Sequence, residues 1–301
     1  MSERSMLTQF SDGLAAAVER AGAGTVTVHG RRRQSATGIA WGDDGLVLTA
    51  SHVVEREDDL TVGLPEGSTV AATFVARDPG SDVALIRAAQ PVAPIERSAA
   101  PARPGHLVLA VGRPDDQGLQ ASFGGVSVVS GPWKTKTGLT VDGFIRADVA
   151  MLPGFSGGPL VDTDGKLVGM TSSHLGRGGG MALPVGALES LVATLLEHGK
   201  VRRGYLGVGA QSVPLPEALR AHAGEGQAHG LIVVMVEEGG PAEVAGVMIG
   251  DVLLSVAGSP VASVEDLQQH LSGDHVGTEV AVAIVRGGER HELGVTVGER
   301  A

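Results

Sequence analysis

The run Pro153-Gly154-Phe155-Ser156-Gly157-Gly158-Pro159-Leu160 sets one serine among three glycines, just ahead of a short apolar pair. A serine hydroxyl is a poor nucleophile near neutral pH and needs a neighbouring base. Glycines around it let backbone N–H groups approach a developing oxyanion with no side chain in the way. Alone, the run also reads as a tight turn. Two further segments change its weight. Leu48-Thr49-Ala50-Ser51-His52-Val53-Val54 places a histidine just past a strand-like run, and Asp78-Pro79-Gly80-Ser81-Asp82-Val83-Ala84-Leu85-Ile86 places a carboxylate just ahead of another. A histidine is the natural base, and a buried carboxylate can fix its tautomer and stabilise the imidazolium. Singly, His52 reads as an ordinary polar residue and Asp82 as a turn carboxylate. Together, the order His, Asp, Ser, spaced 30 and then 74 residues, is far more specific than any one part.

Around these segments the chain reads as short strands: 26–29, 38–41, 46–49, 60–64, 71–77, 83–88, 107–111, 127–129, 143–147, 160–161 and 167–170. Turn residues such as Gly42-Asp43-Asp44-Gly45 punctuate them. Many short strands without alternating helices favour an all-β sandwich or barrel over a parallel α/β sheet. Met6, Phe10, Leu14 and Val18 recur at helical spacing, with Ser5 or Ser11 as cap and Gly22 as stop, which predicts a packed N-terminal helix or an oligomer contact through Phe10. A second helix is expected over 184–197, followed by a polar boundary at 200–204. The organisation predicted is therefore a helical segment over 1–23, a β-rich domain over 24–199 and a smaller domain over 200–301. In the last, strands are expected at 205–209, 231–236, 251–256, 279–286 and 291–297. Helix is expected at 242–245 and at 263–271, the latter with Ser263 as N-cap.

Composition narrows the function class. With 23 basic and 34 acidic residues the chain carries −11, which argues against nucleic acid or an anionic membrane as partner. From Val201 onward 6 basic residues face 13 acidic ones, so the last third holds −7 of that charge. Cysteine is absent, which excludes disulfides, thiolate metal sites and a cysteine nucleophile. The ten histidines show no zinc-like pairing, and no phosphate loop or complete dinucleotide fingerprint occurs, so no metal or cofactor is expected. No apolar run approaches the roughly 18–20 residues of a membrane span. Residues 1–25 lack the pattern of a signal peptide, so the cytoplasm is the expected compartment, with the cell envelope as the alternative. The Arg31-Arg32-Arg33 run reads as a solvated turn.

The three reactive segments resemble those of chymotrypsin-fold serine proteases, and more narrowly the bacterial HtrA/Deg family, in which such a protease precedes one or more PDZ domains. The resemblance covers about residues 10–300. It implies a mainly β chain: a chymotrypsin-like double β-barrel with the site between the barrels, then a small PDZ-like β domain with short helices. It implies His52 as general base, Asp82 as its orienting carboxylate, Ser156 as nucleophile, and the N–H groups of Gly154 and Ser156 as oxyanion hole. Where the family often has Asn before the serine, Phe155 stands here; where secreted relatives have a cysteine after the histidine, Val53 stands here. The stretch 30–37 is short, so gating by a long loop there is not expected. In trypsin-like relatives the residue six before the nucleophile forms the base of the primary pocket. That residue is Ala150, with Met151, Thr171, Ser172 and Ser173 beside it and His174 near enough to touch substrate. Cleavage after small or medium apolar residues is expected.

Gly204-Tyr205-Leu206-Gly207-Val208 resembles the carboxylate-binding loop of HtrA-type PDZ domains, and the run from Gly240 to Leu253 resembles the family's internal signature. Tyr205, Leu206, Gly207 and Val208 would then receive a peptide C-terminus, and the helix at 263–271 would form the other groove wall. The resemblance implies an ATP-independent endopeptidase acting on unfolded or misfolded proteins, built as a homotrimer. The alternatives are a chaperone or PDZ scaffold with a restrained protease site, and a narrow-specificity processing protease.

Overall fold

The computed structural model describes residues 5–32, 34–115, 117–134, 140–176, 180–199, 204–271 and 275–299. The chain divides into two compact units, Met1–Val201 and Arg202–Ala301. The expected boundary at 200–204 falls mostly outside the described residues.

The first unit opens with helix α1 (Met6–Gly22), capped by Ser5, whose hydroxyl accepts from the Thr8 N–H at 3.2 Å. Ser11, the other candidate cap, lies inside the helix. Ala17 and Ala21 are buried against Leu109, Val111 and Val161, while Met6 and Leu7 stand exposed. Strands β1 (Thr25–His29), β2 (Ala36–Ala40), β3 (Leu46–Ala50), β4 (Leu60–Gly63), β5 (Thr69–Asp78) and β6 (Val83–Ala88) close into a barrel in the order β1-β2-β3-β6-β5-β4. Every residue of β2 and β3 is buried, so these strands show no alternation of apolar and exposed polar residues; their only polar side chains, Thr37 and Thr49, are buried too. The reason is that both faces are covered. Val26, Val28, Val47, Val62 and Ile86 fill the barrel, while Ile39, Leu48 and Leu85 pack outward onto Leu183, Leu188 and Leu195.

A second barrel follows from β7 (Leu107–Gly112) and β8 (Gln120–Ser130). A two-stranded hairpin of β9 (Trp133–Lys134) and β10 (Thr140–Val141) stands apart from it. Strands β11 (Phe144–Ala147), β12 (Pro159–Val161), β13 (Leu167–Ser172) and β14 (Met181–Pro184) complete it in the order β11-β14-β13-β12-β7-β8. Phe155, wholly buried, joins Val108, Ala110, Val126, Ile145 and Leu160 in its core. Helix α2 (Val185–His198) ends at Gly199, which takes the left-handed conformation common at helix C-termini.

The second unit carries a sheet ordered β16-β17-β18-β20-β21, from β16 (Val208–Pro214), β17 (His229–Val236), β18 (Val252–Val256), β20 (Glu279–Arg286) and β21 (Glu289–Thr296); β19 (Ser259–Pro260) pairs with β18. β15 (Gly204–Tyr205) and β22 (Gly298–Glu299) pair as a separate short ribbon. Helices α3 (Glu217–Arg220) and α4 (Pro241–Val244) are single turns. Helix α5 (Val264–His270) starts in a capping box between Ser263 and Asp266. Leu206, Leu231, Leu253, Ile284 and Val295 lie in its core. Among the described residues no helix is long and apolar enough to cross a membrane.

Candidate active site

His52 sits in a single helical turn directly after β3. Three contacts bind that turn to Asp82. The Ser51 N–H donates to the Asp82 carbonyl at 3.0 Å, the His52 N–H to Oδ1 at 2.9 Å, and His52 Nδ1 lies 2.8 Å from Oδ2. Asp82 itself has φ of 59°, a left-handed conformation that Asp tolerates better than most residues. The preceding turn is held by the Asp78 carboxylate, which accepts from the Gly80 and Ser81 N–H groups at 3.2 and 2.9 Å. The Ser172 hydroxyl adds a third donor to Asp82, 2.5 Å from Oδ2. Asp82 is buried, and these donors replace the water a carboxylate would otherwise need.

Ser156 lies in the β11–β12 connection, between Gly154 and Gly157, whose φ values are +81° and +85°. A Cβ on Gly157 would fall 2.3 Å from both the Thr37 carbonyl and the Thr49 hydroxyl, so only glycine fits there. Thr37, on β2, ties the two barrels together at this point: its hydroxyl donates to the Gly154 carbonyl at 2.7 Å, and its N–H donates to the Ser156 carbonyl at 3.4 Å. Within the loop, the N–H groups of Phe155, Gly157 and Gly158 donate to Leu152, Thr171 and Phe155 carbonyls. Among the described residues, those of Gly154 and Ser156 donate to no protein acceptor. Two unspent amides thus flank the serine, the arrangement an oxyanion needs. The Ser156 hydroxyl is 2.9 Å from the Ser173 hydroxyl and accepts from the Ser173 N–H at 3.2 Å. Among the described residues no hydrogen bond joins it to His52; such contacts are often made only when substrate is present.

The expected pocket residues divide. Ala150 is exposed and Met151 half-buried against the second barrel's core. Thr171 and Ser172 are buried, and their hydroxyls are spent on protein acceptors. Thr171 donates to the carbonyls of Phe155 and Gly158 at 2.9 and 3.0 Å, and Ser172 serves Asp82. Ser173 and His174 are exposed. His174 stacks on His52 with ring centroids 3.7 Å apart. The Arg31–Arg33 run is more than a solvated turn: Arg31 is half-buried and donates to the His52 carbonyl at 3.1 Å, while Arg33 lies outside the described residues. No local sequence signal marks Arg31 or Ser172 for these roles. His52, Asp82 and His174 offer ligand-type atoms within 4.8 Å of one another. The Asp82 oxygens and His52 Nδ1 are already committed to each other and to Ser172, so the group serves better as a hydrogen-bonded relay than as a cation site.

In the second unit, Leu206 is buried and the Leu206 and Gly207 carbonyls are drawn inward, accepting from Ala242 and Glu237 N–H groups at 2.7 and 2.8 Å. Gly207 has φ of +77°. Tyr205 pairs with Gly298, and Val208 begins β16, which stands at the end of its sheet with β17 as its one partner strand among the described residues.

Comparison with known proteins now bears on this geometry. Residues 36–170 match the trypsin-like peptidase domain and residues 204–297 the PDZ domain. The solved HtrA-type protease AlgW with tripeptide is 30% identical, with a TM-score of 0.71 over 96% of this chain and 97% of that one. The chain belongs to the HtrA family. The serine endoprotease from Yersinia pestis is 27% identical, with a TM-score of 0.77 over 96% of this chain and 98% of that one. A curated relative from Pseudomonas putida, named a probable periplasmic serine endoprotease DegP-like, is 35% identical over 87% of this chain and 55% of its own length. The chain thus spans about half the length of the curated relatives it matches. These HtrA relatives correct the expected cytoplasmic location. Those from Pseudomonas putida, Ectopseudomonas mendocina and Halomonas elongata are named periplasmic, which points to the cell envelope. The expectation rested on residues 1–25 lacking a leader pattern, and the structure spends most of those residues on α1.

Proposed function

We propose that this chain is an ATP-independent serine endopeptidase of protein quality control in the cell envelope. Its substrates are misfolded polypeptides, which expose apolar segments, and it cuts them after small or medium apolar residues. The observation that carries the endopeptidase reading is a carboxylate-held imidazole in the same unit as a serine loop with two unspent amides. In this reading His52 Nε2 takes the Ser156 proton as Oγ attacks the peptide carbonyl, Asp82 stabilises the imidazolium, and the Gly154 and Ser156 N–H groups receive the oxyanion. The proton then passes to the leaving amine. Ala150 and Met151 present no carboxylate that would select Lys or Arg. Cleavage after Val exceeding cleavage after Arg is the expected result with matched peptides, and a strong Arg preference would reject the pocket assignment. Casein turnover by the wild type and its absence in Ser156→Ala tests the core of the proposal; equal turnover would reject it.

The PDZ unit binds peptide C-termini by adding a strand at the edge of β16, with Tyr205–Val208 receiving the carboxylate and α5 as the opposite wall. The AlgW structures, solved with a decapeptide and a tripeptide, support peptide capture. The Glu237 carboxylate stands beside Gly207, 3.5 Å from where a Cβ would lie. With the unit's net charge, this should turn acidic tails away. Assembly is a homotrimer through the first unit, supported by the exposed apolar cluster of Met6, Leu7 and Phe10 with Phe123. One observation favours a second reading, a restrained site in a chaperone or scaffold. The Ser156 hydroxyl rests on Ser173 rather than on His52.

A further inference from the structure

His174 is tied to the triad twice. Its N–H donates to the Ser172 hydroxyl at 3.0 Å, and that hydroxyl donates in turn to Asp82, which holds His52. Its ring then closes the loop by stacking on the His52 ring, with centroids 3.7 Å apart and planes 27° apart. His174 is exposed, whereas the His52 side chain is 15% exposed. Among the described residues, the other charged groups facing the His52 turn are Asp82, Arg31, whose guanidinium meets the His52 carbonyl and lies 3.6 Å from Glu55, and Arg77, which donates to the Val54 carbonyl at 2.9 Å and pairs with Glu57. His174 therefore covers one face of the base with an aromatic ring.

We infer that His174 is a positioning residue for His52: while neutral, its ring steadies the base and the imidazolium that forms on it, and once protonated it opposes that imidazolium. The inference rests on the proposed role of His52 as base. A neutral aromatic face stacked on a forming cation favours it by roughly 2- to 30-fold. Two cations this close disfavour each other by roughly 5- to 1,000-fold, between water-like surroundings and an effective dielectric near 20. Histidine changes charge between about pH 5 and 8, so the neutral partner is lost within the working range. A proton on His174 then slows the step in which His52 must accept one.

The test is peptide hydrolysis by the full chain carrying His174→Ala, His174→Phe or His174→Lys, with thermal unfolding to confirm that each is folded. At pH 8 the expected order of kcat is wild type close to Phe, then Ala lower by at least 3-fold, then Lys lower by at least 10-fold, with KM changing less than kcat. As the pH falls from 8 to 5.5, the ratio of His174→Phe to wild type should rise, because only the wild type gains the second charge. A merely structural role would move neither the order nor the ratio. Lys as active as Phe at pH 8, or a ratio flat with pH, overturns the inference. Ser156→Ala and His52→Ala run in parallel. If both lose activity while the His174 variants track the wild type, the inference alone fails. If either keeps the wild-type rate, the triad assignment fails and takes the inference with it.

Discussion

Gly112 ends β7, and a Cβ added there would lie 2.5 Å from Phe155 Cδ1, 2.7 Å from Cε1 and 3.1 Å from Cγ. Carbon atoms sit comfortably at about 3.5–4.0 Å, so Gly112→Ala must displace the ring by roughly 1 Å. Phe155 has no exposed surface into which to swing. It is bonded into the loop between Gly154 and Ser156, so the displacement passes to the two proposed oxyanion amides and the nucleophile. Overpacking of this kind costs about 1–3 kcal/mol of stability. A misplacement of about 1 Å can cost on the order of 100-fold in rate. The expected outcome is a folded variant with kcat reduced roughly 10- to 100-fold and KM little changed. Chromogenic-peptide kinetics with thermal unfolding of the same sample measures both. Adding Phe155→Leu should relieve the clash and return part of the rate, although removing the ring from wild type alone leaves a cavity and destabilises. A folded Gly112→Ala enzyme with wild-type kcat would refute the claim that Phe155 sets the loop's geometry.

Asp82→Asn should keep the fold, since Asn also tolerates positive φ, yet lower kcat by about 10⁴-fold because an amide neither fixes the needed tautomer nor balances the imidazolium; a loss under 10-fold would remove Asp82 from the mechanism. In the second unit, burial raises Asp251, but hydrogen bonds from Arg286 and the Met248 N–H outweigh it and hold the carboxyl below the usual range. A depressed carboxyl contributes stability above its unfolded value of about 3.9 that is lost as the pH falls through the folded one. The protection factors of β18 and β20 amides in the full chain, which divide out the intrinsic pH dependence of exchange, should therefore fall on acidification from pH 5 to 3, and Asp251→Asn should show a flatter response. Phe10 is 45% exposed and meets Phe123 edge-on at 6.2 Å, so Phe10→Ser should leave thermal unfolding of the subunit nearly unchanged while shifting sedimentation toward monomer. An unchanged sedimentation profile would exclude this patch from the interface.

How far the sequence could be read follows from the range over which each feature is determined. Strands β3 and β6 are legible because burial leaves them mostly apolar, with one polar residue each, Thr49 and Arg87. Strand β8 is longer than the expected 127–129, because its earlier part, 120–126, mixes polar residues with Gly124 and Gly125 and offers no apolar run. Ser5 and Ser11 are alike as caps in sequence; in the structure Ser5 takes the role, its hydroxyl accepting from the Thr8 N–H, and Ser11 lies inside the helix. The same contrast runs through the site. His52, Asp82 and Ser156 are legible because each needs a local backbone device: a turn after a strand, a left-handed residue after an Asx turn, glycines at positive φ. Their supports need only a donor or a ring at the right distance, and the chain delivers these from far away. Ser172 reaches Asp82 across 90 positions and Arg31 reaches His52 across 21, with no local pattern required of either. His174 belongs to this second group, which is why proximity alone could be inferred from sequence and the stacked geometry could not. A residue recruited through space is free to change without disturbing any turn, so substitution there should tune the base while leaving the machinery that folds it intact.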